Sequence, residues 1–227
     1  MTPLLEIRNL TGGYGDTNVL FDISAQIEAG QILGVFGRNG VGKTTLARLV
    51  QGGLRPVQGD VLLNGVSVGN HPAHARRDMG IGYMPQTSMV FDDLTVRENL
   101  TIGSLREEPD QYFDRFPRLA ERLDQPAGTM SGGERKILAF VRAMIEDTKM
   151  LVLDEPSEGV QPENIDHMSR CLQERAAAGV GVMICEQNLS FLASISDWYV
   201  GLDVGRVVLN KSSDEVSDYD VSNVLAL

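Results

Sequence analysis

A glycine-rich stretch near residue 40 carries the most specific chemical pattern in the sequence. Eight consecutive residues match G-x-x-x-x-G-K-[ST] at every fixed position, namely Gly37, Arg38, Asn39, Gly40, Val41, Gly42, Lys43 and Thr44. Glycines let successive backbone N–H groups turn towards phosphate oxygens, and a following helix adds its positive end. The pattern therefore predicts a phosphate-binding loop, in which Lys43 reaches the β- and γ-phosphates of a nucleotide and the Thr44 hydroxyl ligates Mg²⁺.

A pair of carboxylates, Asp154 and Glu155, could supply the other half of this chemistry. The pair directly follows an apolar run. We predict that Asp154 holds Mg²⁺ through water and that Glu155 polarises a water molecule for in-line attack on the γ-phosphate. Two exposed loop carboxylates would show the same pattern, but the phosphate-binding loop upstream favours the catalytic interpretation.

Three short apolar runs, 32–36, 150–153 and 180–184, must position these groups. Each run is uninterrupted, as is typical of strands that are covered on both faces in an α/β sheet. Ligands of open α/β sheets bind at the carboxyl ends of the strands, which is where the polar residues begin. A helical pattern at 45–49 follows the phosphate-binding loop, and Thr45, its first residue, belongs to the predicted phosphate site.

The remaining patterns predict smaller elements around this sheet. Strand patterns in the N-terminal part lie at 4–10, 19–27 and 60–63. Residues 92–124 are charged and interrupted by prolines, and they predict a helical lobe inserted between sheet strands, with helices at 96–105 and 111–123.

The C-terminal half predicts a helix, a hairpin and a tail. Residues 135–144 have helical spacing, and 198–202 with 206–209 predict two strands joined by a short turn. A polar, acidic tail follows the hairpin.

The composition of the 227 residues is that of an ordinary globular protein, with 42% hydrophobic and 22% charged residues. The net charge of −11 argues against nonspecific binding to nucleic acid or to an anionic lipid surface, because both need Lys and Arg. No apolar run approaches the ~20 residues of a membrane span, and the N-terminus lacks the basic region of a signal peptide. We expect a soluble intracellular protein.

Cysteine and histidine residues give no metal or disulfide pattern. Two cysteines, Cys171 and Cys185, are too few for a disulfide framework, and we expect buried thiols. His71 and His74 could form a metal pair, but no third ligand lies nearby in the sequence, so no metal is predicted there.

A second glycine pair marks another anion-binding helix end. Ser131, Gly132, Gly133 and Glu134 open the predicted helix about twenty residues before Asp154. One chain cannot easily present this end and the phosphate-binding loop to the same nucleotide. The motif resembles the signature of the ATP-binding cassette (ABC) ATPases, and the resemblance covers nearly the whole chain. In that family two subunits pair head to tail, and the signature of each caps the γ-phosphate held by the other.

The resemblance implies roles for further residues. Tyr14 matches the aromatic residue that stacks on adenine, and Gln86 matches the glutamine that senses Mg²⁺ and the γ-phosphate and links to the helical lobe. Residues 156–161 occupy the loop that crosses the dimer interface. The implied cofactors are ATP and Mg²⁺, with Thr44, Gln86 and Asp154 around the metal.

Three positions depart from the usual family pattern. Gln161 stands where the interface loop usually ends in Asp, and Glu134 stands where Gln is commoner in the signature. Gln187 stands where a switch histidine usually hydrogen-bonds the γ-phosphate. Glutamine can donate a hydrogen bond but does not titrate near neutral pH. We still place Gln187 among the catalytic residues, beside Glu155 and Gln86.

The departures resemble one branch of the family, the second ATPase subunit of branched-chain amino acid importers, with urea and short-chain amide importers close by. The shared segments are Gly37–Gly40, 80–83, 94–100, 116–119 and Glu186 to Asn188. The implied fold is an α/β P-loop NTPase core of ABC type with an N-terminal antiparallel β segment and an inserted helical subdomain. Residues 1–227 form one domain, in which 1–85 and about 148–227 are the nucleotide-binding core and about 86–147 hold the glutamine loop, helical subdomain and signature helix.

The resemblance also implies partners and a location. These are a second ATPase subunit in a heterodimer or homodimer, two transmembrane permease subunits and, indirectly, a periplasmic or extracellular substrate-binding protein. The chain would sit at the cytoplasmic face of the plasma membrane as a peripheral subunit. Two alternatives remain at this point: a regulatory ATP-binding subunit with a degenerate site, and an ABC ATPase without a role in transport.

Overall fold

Apolar and alternating runs fold into two sheets in the computed structural model, which describes residues 2–102 and 108–226. The strands in these ranges are β1 (Leu5–Tyr14), β2 (Thr17–Ile27), β3 (Ile32–Phe36), β4 (Gln58–Leu63), β5 (Val66–Ser67), β6 (Ile81–Met84), β7 (Met150–Asp154), β8 (Gly181–Glu186), β9 (Trp198–Asp203) and β10 (Arg206–Ser212). The three apolar runs of the sequence became β3, β7 and β8, as predicted.

Helices connect and cover the sheets. Their bounds are α1 (Lys43–Gln51), α2 (Ala73–Asp78), α3 (Val96–Thr101), α4 (Pro117–Glu121), α5 (Gly132–Ile145), α6 (Pro162–Ala177), α7 (Leu189–Ala193) and α8 (Asp218–Ala226), with 3₁₀ turns at Pro109–Tyr112 and Ala127–Thr129. Among the described residues, no helix is both long and apolar enough to cross a bilayer.

The larger sheet has the strand order β10-β9-β3-β8-β7-β6, and every neighbouring pair except β10 with β9 is parallel. Strand β3 is buried on both faces. Leu33 and Val35 join a core that includes α1 and the antiparallel sheet β2-β1-β4-β5. Ile32 and Phe36 join the opposite core, which includes α5 and α6. The α/β fold class predicted from the sequence is confirmed.

Two predicted elements differ in the structure. The helix expected at 111–123 is wrong, because a 3₁₀ turn ends at Tyr112 and α4 begins only at Pro117. A proline disfavours helical backbone at the preceding residue, and Phe116 has φ −126° and ψ 66°. The helix expected at 96–105 ends at Thr101, and residues 103–105 of that prediction lie outside the described residues.

The polar, acidic tail after the hairpin contains a helix that was not predicted from the sequence. Residues 218–226 form α8, and Val224 is buried in the core beside β9. The helix covers Gly201, where an added Cβ would lie 2.9 Å from Val224. Val221 and Val224 lie three residues apart on one face of α8, and both pack against this core.

Parallel pairing brings four strand ends to one edge. Phe36 of β3 pairs with Glu186 of β8, Asp154 of β7 pairs with Cys185, and β6 ends alongside β7 at Met84. The loops that leave β3, β6, β7 and β8 therefore meet there, and all of them carry predicted site residues.

Candidate functional site

A cavity of about 760 Å³ opens at this edge of the sheet. Ten sequence-predicted residues line it, namely Tyr14, Asn39, Gly40, Gly42, Lys43, Thr44, Thr45, Gln86, Glu155 and Gln187. Five residues with no individual role predicted from the sequence also line it, namely Val19, Ser157, Glu158, Glu186 and Asn188. The structure thus brings the phosphate-binding loop, the second carboxylate and the switch position into one cavity.

The phosphate-binding loop takes its shape from glycines that no other residue could replace without strain. A Cβ on Gly37 would lie 2.4 Å from the carbonyl oxygen of Leu202, and its φ is 152°. Gly42 has φ 112° and is the N-cap residue of α1. The left-handed region strongly favours glycine, so these positions set the curl of the loop before α1 begins. Arg38 and Val41 lie in the loop between Gly37 and Gly42.

Lys43 reaches back across the loop from the first turn of α1. Its side chain is 4% exposed, and Nζ donates to the carbonyl oxygens of Gly37 at 2.9 Å and Arg38 at 3.2 Å. Nζ also lies 3.6 Å from Oε1 of Glu155. A buried ammonium group at the mouth of the loop is thus held ready for an anionic ligand.

Thr44 and Asp154 form a second polar pair beneath the loop. Thr44 Oγ1 donates to Asp154 Oδ1 at 3.2 Å, and Asp154 Oδ2 is buried with no hydrogen-bond partner among the described residues. Burial raises the pKa of Asp154 to about 6, while the Thr44 hydrogen bond opposes this. A buried oxygen without a partner, beside a hydroxyl oxygen, fits Mg²⁺, which prefers such hard ligands.

Glu155 begins the loop after β7 with a left-handed backbone, φ 49°. Gln86 Nε2 donates to Glu155 Oε2 at 2.8 Å and to Glu158 Oε2 at 3.2 Å. The carboxylate of Glu155 therefore lies between Lys43 on one side and Gln86 on the other. Three of the predicted site residues are in contact through this one carboxylate.

Lys136 is a site residue that the sequence reasoning missed. It lies on α5, is buried, and its Nζ donates to the carbonyl oxygen of Gln86 at 2.6 Å. The same atom lies 4.0 Å from Glu158 Oε2. Burial lowers the pKa of Lys136 below its usual value, while nearby carboxylates, Glu158 foremost, act in the opposite direction. The sequence pattern near Lys136 is the glycine pair at the start of α5. That pattern indicates an anion-binding helix end and does not identify a lysine farther along the helix as a site residue.

Tyr14 stands at the end of β1 at the mouth of the cavity. Its side chain is exposed, and the Arg48 guanidinium lies over the ring, 5.5 Å from the centroid. An exposed aromatic face backed by a cation is a suitable platform for a flat base.

The signature residues lie at a different cavity, of about 710 Å³, lined by Ser131, Gly133, Glu134 and Gln161 among others. Gly132 is the first residue of α5. The structure does not bring these residues to the phosphate-binding loop of the same chain, which agrees with the sequence argument that one chain cannot present both ends to one nucleotide.

Glu134 has a local structural role that explains a carboxylate at this position. Ser131 N donates to Glu134 Oε2 at 2.9 Å, and Glu134 N donates to Ser131 Oγ at 3.3 Å, which is a capping box. The hydrogen bond from the Ser131 backbone is the main reason that the pKa of Glu134 is lowered, and Arg122 adds to it at 3.3 Å. Glutamate near the N-terminus of α5 is also favourable to the helix dipole.

The two cysteines lie in the core, as expected. Cys171 and Cys185 are buried free thiols. His71 and His74 are exposed, and the described part of the chain contains no cluster of three or more His, Cys, Asp or Glu that could hold a metal ion by itself.

The fold and the site together define an ATP-binding α/β protein of the P-loop class. Residues 20–158 match the ABC transporter family, and the chain belongs to that family. It is an ABC ATPase and an ATP-binding subunit of an ABC transporter.

Known relatives extend over the whole chain. "Probable branched-chain amino acid transport ATP-binding protein LivF" of Archaeoglobus fulgidus is 35% identical, with 96% of this chain and 95% of the relative covered. "Lipopolysaccharide export system ATP-binding protein LptB" of Haemophilus influenzae is 30% identical, with 97% and 96% covered. A solved "ATP binding subunit of ABC transporter" superposes with a TM-score of 0.86 at 27% identity, covering 97% of this chain and 99% of that one.

Proposed function

We propose that this chain is the ATP-hydrolysing subunit of an importer for branched-chain or related amino acids, or for urea and amides. The observation that carries the hydrolytic role is the placement of Glu155 in the cavity, between Lys43 at 3.6 Å and Gln86 at 2.8 Å. Support for import comes from the 35% identity to the amino acid transport relative, against 30% to the lipopolysaccharide export relative.

ATP binding places phosphates on the loop. The backbone N–H groups of residues 37–45 and the Lys43 ammonium hold the β- and γ-phosphates, and Tyr14 stacks on adenine. Thr44, Asp154 and Gln86 would hold Mg²⁺, which when bound neutralises charge on the β- and γ-phosphate oxygens. The orphaned Oδ2 of Asp154 gains a partner in this arrangement.

Hydrolysis then depends on two side chains. Glu155 accepts a hydrogen bond from the attacking water and orients it in line with the γ-phosphate. Gln187 lines the cavity one residue beyond β8, and its amide donates a hydrogen bond to a γ-phosphate oxygen. Before this, the γ-phosphate must displace Glu155 from Lys43, so nucleotide binding itself frees the carboxylate.

A second ATPase subunit completes the site from outside. Ser131 and the N-terminus of α5 lie at a cavity separate from this chain's phosphate-binding loop, and they cap the γ-phosphate held by a partner in a head-to-tail dimer. In this division, 1–85 and about 148–227 act as the nucleotide-binding core, and about 86–147 act as the helical lobe with the signature.

One of the two transmembrane permease subunits docks on a third cavity. This cavity, of about 360 Å³, is lined by residues of the segment after β6 and of α5, with Met89, Phe91 and Ile102 exposed around it. Arg142 donates to the Met89 carbonyl oxygen at 2.7 Å and lies over the Phe91 ring. Exposed apolar side chains next to the Gln86 segment fit a helix of a membrane subunit, and this supports a peripheral position of the chain at the cytoplasmic face. An extracellular or periplasmic substrate-binding protein acts through the permeases.

Uptake by the intact transporter tests this function. Lys43→Ala removes the cation of the phosphate-binding loop and should abolish ATP-driven amino acid uptake. Lys149→Ala, an exposed lysine at the opposite end of β7, is the matched control and should leave uptake unchanged. Full uptake by the Lys43→Ala transporter would overturn the assignment.

A regulatory ATP-binding subunit is the second candidate, and Gln187 and Gln161 favour it, since neither offers the titratable group usual at its position. In that case Lys43→Ala would lower uptake, while Glu155→Gln in this chain would leave the rate of hydrolysis unchanged.

A further inference from the structure

Glu186 is a buried carboxylate that the proposed hydrolysis does not use. It is the last residue of β8, is 3% exposed and lines the nucleotide cavity. A charged side chain at this depth is costly unless hydrogen bonds satisfy it. Its partners therefore indicate what it does.

Each oxygen of Glu186 serves a different segment of the chain. Oε1 accepts from the backbone N–H of Ser157 at 2.8 Å and also from the Ser157 hydroxyl. Oε2 accepts from the backbone N–H groups of Gln187 at 2.8 Å and Asn188 at 3.0 Å. One side chain thus joins the loop after β7 to the segment after β8.

The four partners are all donors, which explains why a carboxylate stands here. An ionised carboxylate accepts about four hydrogen bonds and donates none. Glutamine would place an NH₂ group against the N–H donors on one side. Those buried donors would then have no acceptor, which costs free energy of folding. The arrangement is specific for the charged side chain rather than for its size.

The joined segments carry the two side chains assigned to hydrolysis. Ser157 is two residues after Glu155, which has a left-handed backbone and donates its N–H to the Cys185 carbonyl oxygen at 2.8 Å. Gln187 directly follows Glu186. We propose that Glu186 is a positioning residue that fixes Glu155 and Gln187 relative to each other across the γ-phosphate site, a role that rests on the function proposed above.

Three variants separate positioning from folding. Glu186→Gln keeps the size of the side chain and removes its charge, and Ser157→Ala removes the hydroxyl donor. Ser169→Ala is the control, because Ser169 is an equally buried serine whose hydroxyl bonds the Ile165 carbonyl oxygen on α6, away from the cavity. Each is made in the assembled transporter.

Amide hydrogen exchange tests the link itself, without any hydrolysis. Glu186→Gln should speed exchange in peptides covering 156–158 and 187–188 together, and leave the peptide covering β3 unchanged. Unchanged exchange at both segments would overturn the link.

Hydrolysis under single-turnover conditions tests the consequence. We expect Glu186→Gln to lower the rate at saturating ATP by about tenfold or more, the scale of a small misplacement of reacting groups. Its Kd for ATP should stay within about twofold of wild type, and Ser157→Ala should show a smaller loss of the same kind. Ser169→Ala should behave as wild type.

Two outcomes would overturn positioning: a wild-type rate in Glu186→Gln, or a parallel loss of ATP binding, rate and cooperative unfolding, which would show a purely structural role. Failure of the proposed function looks different, because Glu155→Gln would then leave the rate unchanged while the exchange result for Glu186→Gln still stood.

Discussion

Lys43 and Glu155 form an ion pair of 3.6 Å across the nucleotide cavity. The cation that is assigned to the phosphates and the carboxylate that is assigned to the attacking water therefore hold each other when no nucleotide separates them. On the function proposed above, we expect a γ-phosphate to compete with Glu155 for the ammonium group.

Glu155→Gln should tighten ATP binding. The substitution removes a carboxylate that competes for Lys43 and repels the γ-phosphate, so we expect Kd for ATP to fall about three- to tenfold, or roughly 1 kcal/mol. Isothermal titration with ATP and with AMP provides the measurement, and AMP affinity should not change. Glu158→Gln, at a more exposed carboxylate, is the control, and an equal effect there would show a general charge effect instead.

Asp154 should make stability depend on pH. Its pKa rises from 3.8 to about 6 on folding, so the folded state retains the proton more strongly. Its contribution to stability is therefore complete below pH 3.8 and is lost as the pH rises through about 6.

Asp154→Asn cannot ionise and should be more stable than wild type at pH 7.5, by up to about 3 kcal/mol. The difference should grow between the two pKa values and stay constant above about pH 6. Urea denaturation of the nucleotide-free and Mg²⁺-free protein from pH 4 to 8 measures it. Parallel curves for the two proteins would contradict the conclusion that burial destabilises the ionised form of Asp154.

Arg76 should be a major source of stability. Its guanidinium is fully buried and donates to four carbonyl oxygens, those of Leu49, Val50, Gly69 and His71. Burial lowers its pKa to about 10, so the group stays charged at neutral pH. Arg76→Met leaves the carbonyls at the end of α1 unpaired and should cost about 3–5 kcal/mol in urea denaturation.

Arg77→Met provides the comparison. Arg77 pairs with Glu146 at 2.8 Å but is 53% exposed, so its loss should cost under about 1 kcal/mol. Equal losses at the two positions would contradict the role given to Arg76.

Tyr14 should set the affinity for the base. Stacking on an aromatic side chain contributes about 1–3 kcal/mol per base, so Tyr14→Ala should raise Kd for ATP by about 5- to 150-fold. Tyr14→Phe keeps the ring and should bind like wild type. Inorganic triphosphate has no base, so a loss of triphosphate binding in Tyr14→Ala would point to damage to the loop.

The phosphate site was predictable because local pattern and strand order determine it. Glycine spacing sets the loop, and parallel pairing of uninterrupted apolar runs brings Lys43, Asp154 and Glu155 together. The fold class followed from the same runs.

Other features depend on contacts between distant segments, which no local pattern encodes. Arg76 stands in a polar stretch of the sequence, yet it is buried because the end of α1 lies against it. Lys136 contacts Gln86, which is 50 residues away in the sequence, and Glu186 contacts Ser157, which is 29 residues away. The single helix predicted at 111–123 is wrong for a local reason. Periodicity continues through this segment, but the helical backbone is interrupted before Pro117, where α4 begins.

Single-turnover hydrolysis in the purified transporter tests the central claim that this chain's own site hydrolyses ATP. The catalytic glutamate of the second ATPase subunit is replaced by glutamine, so that only this site can turn over, and wild-type chain is compared with Glu155→Gln. We predict that the wild-type chain hydrolyses its bound ATP and that Glu155→Gln lowers the rate by at least about a hundredfold. Equal rates for the two would contradict the account and leave this chain a regulatory ATP-binding subunit.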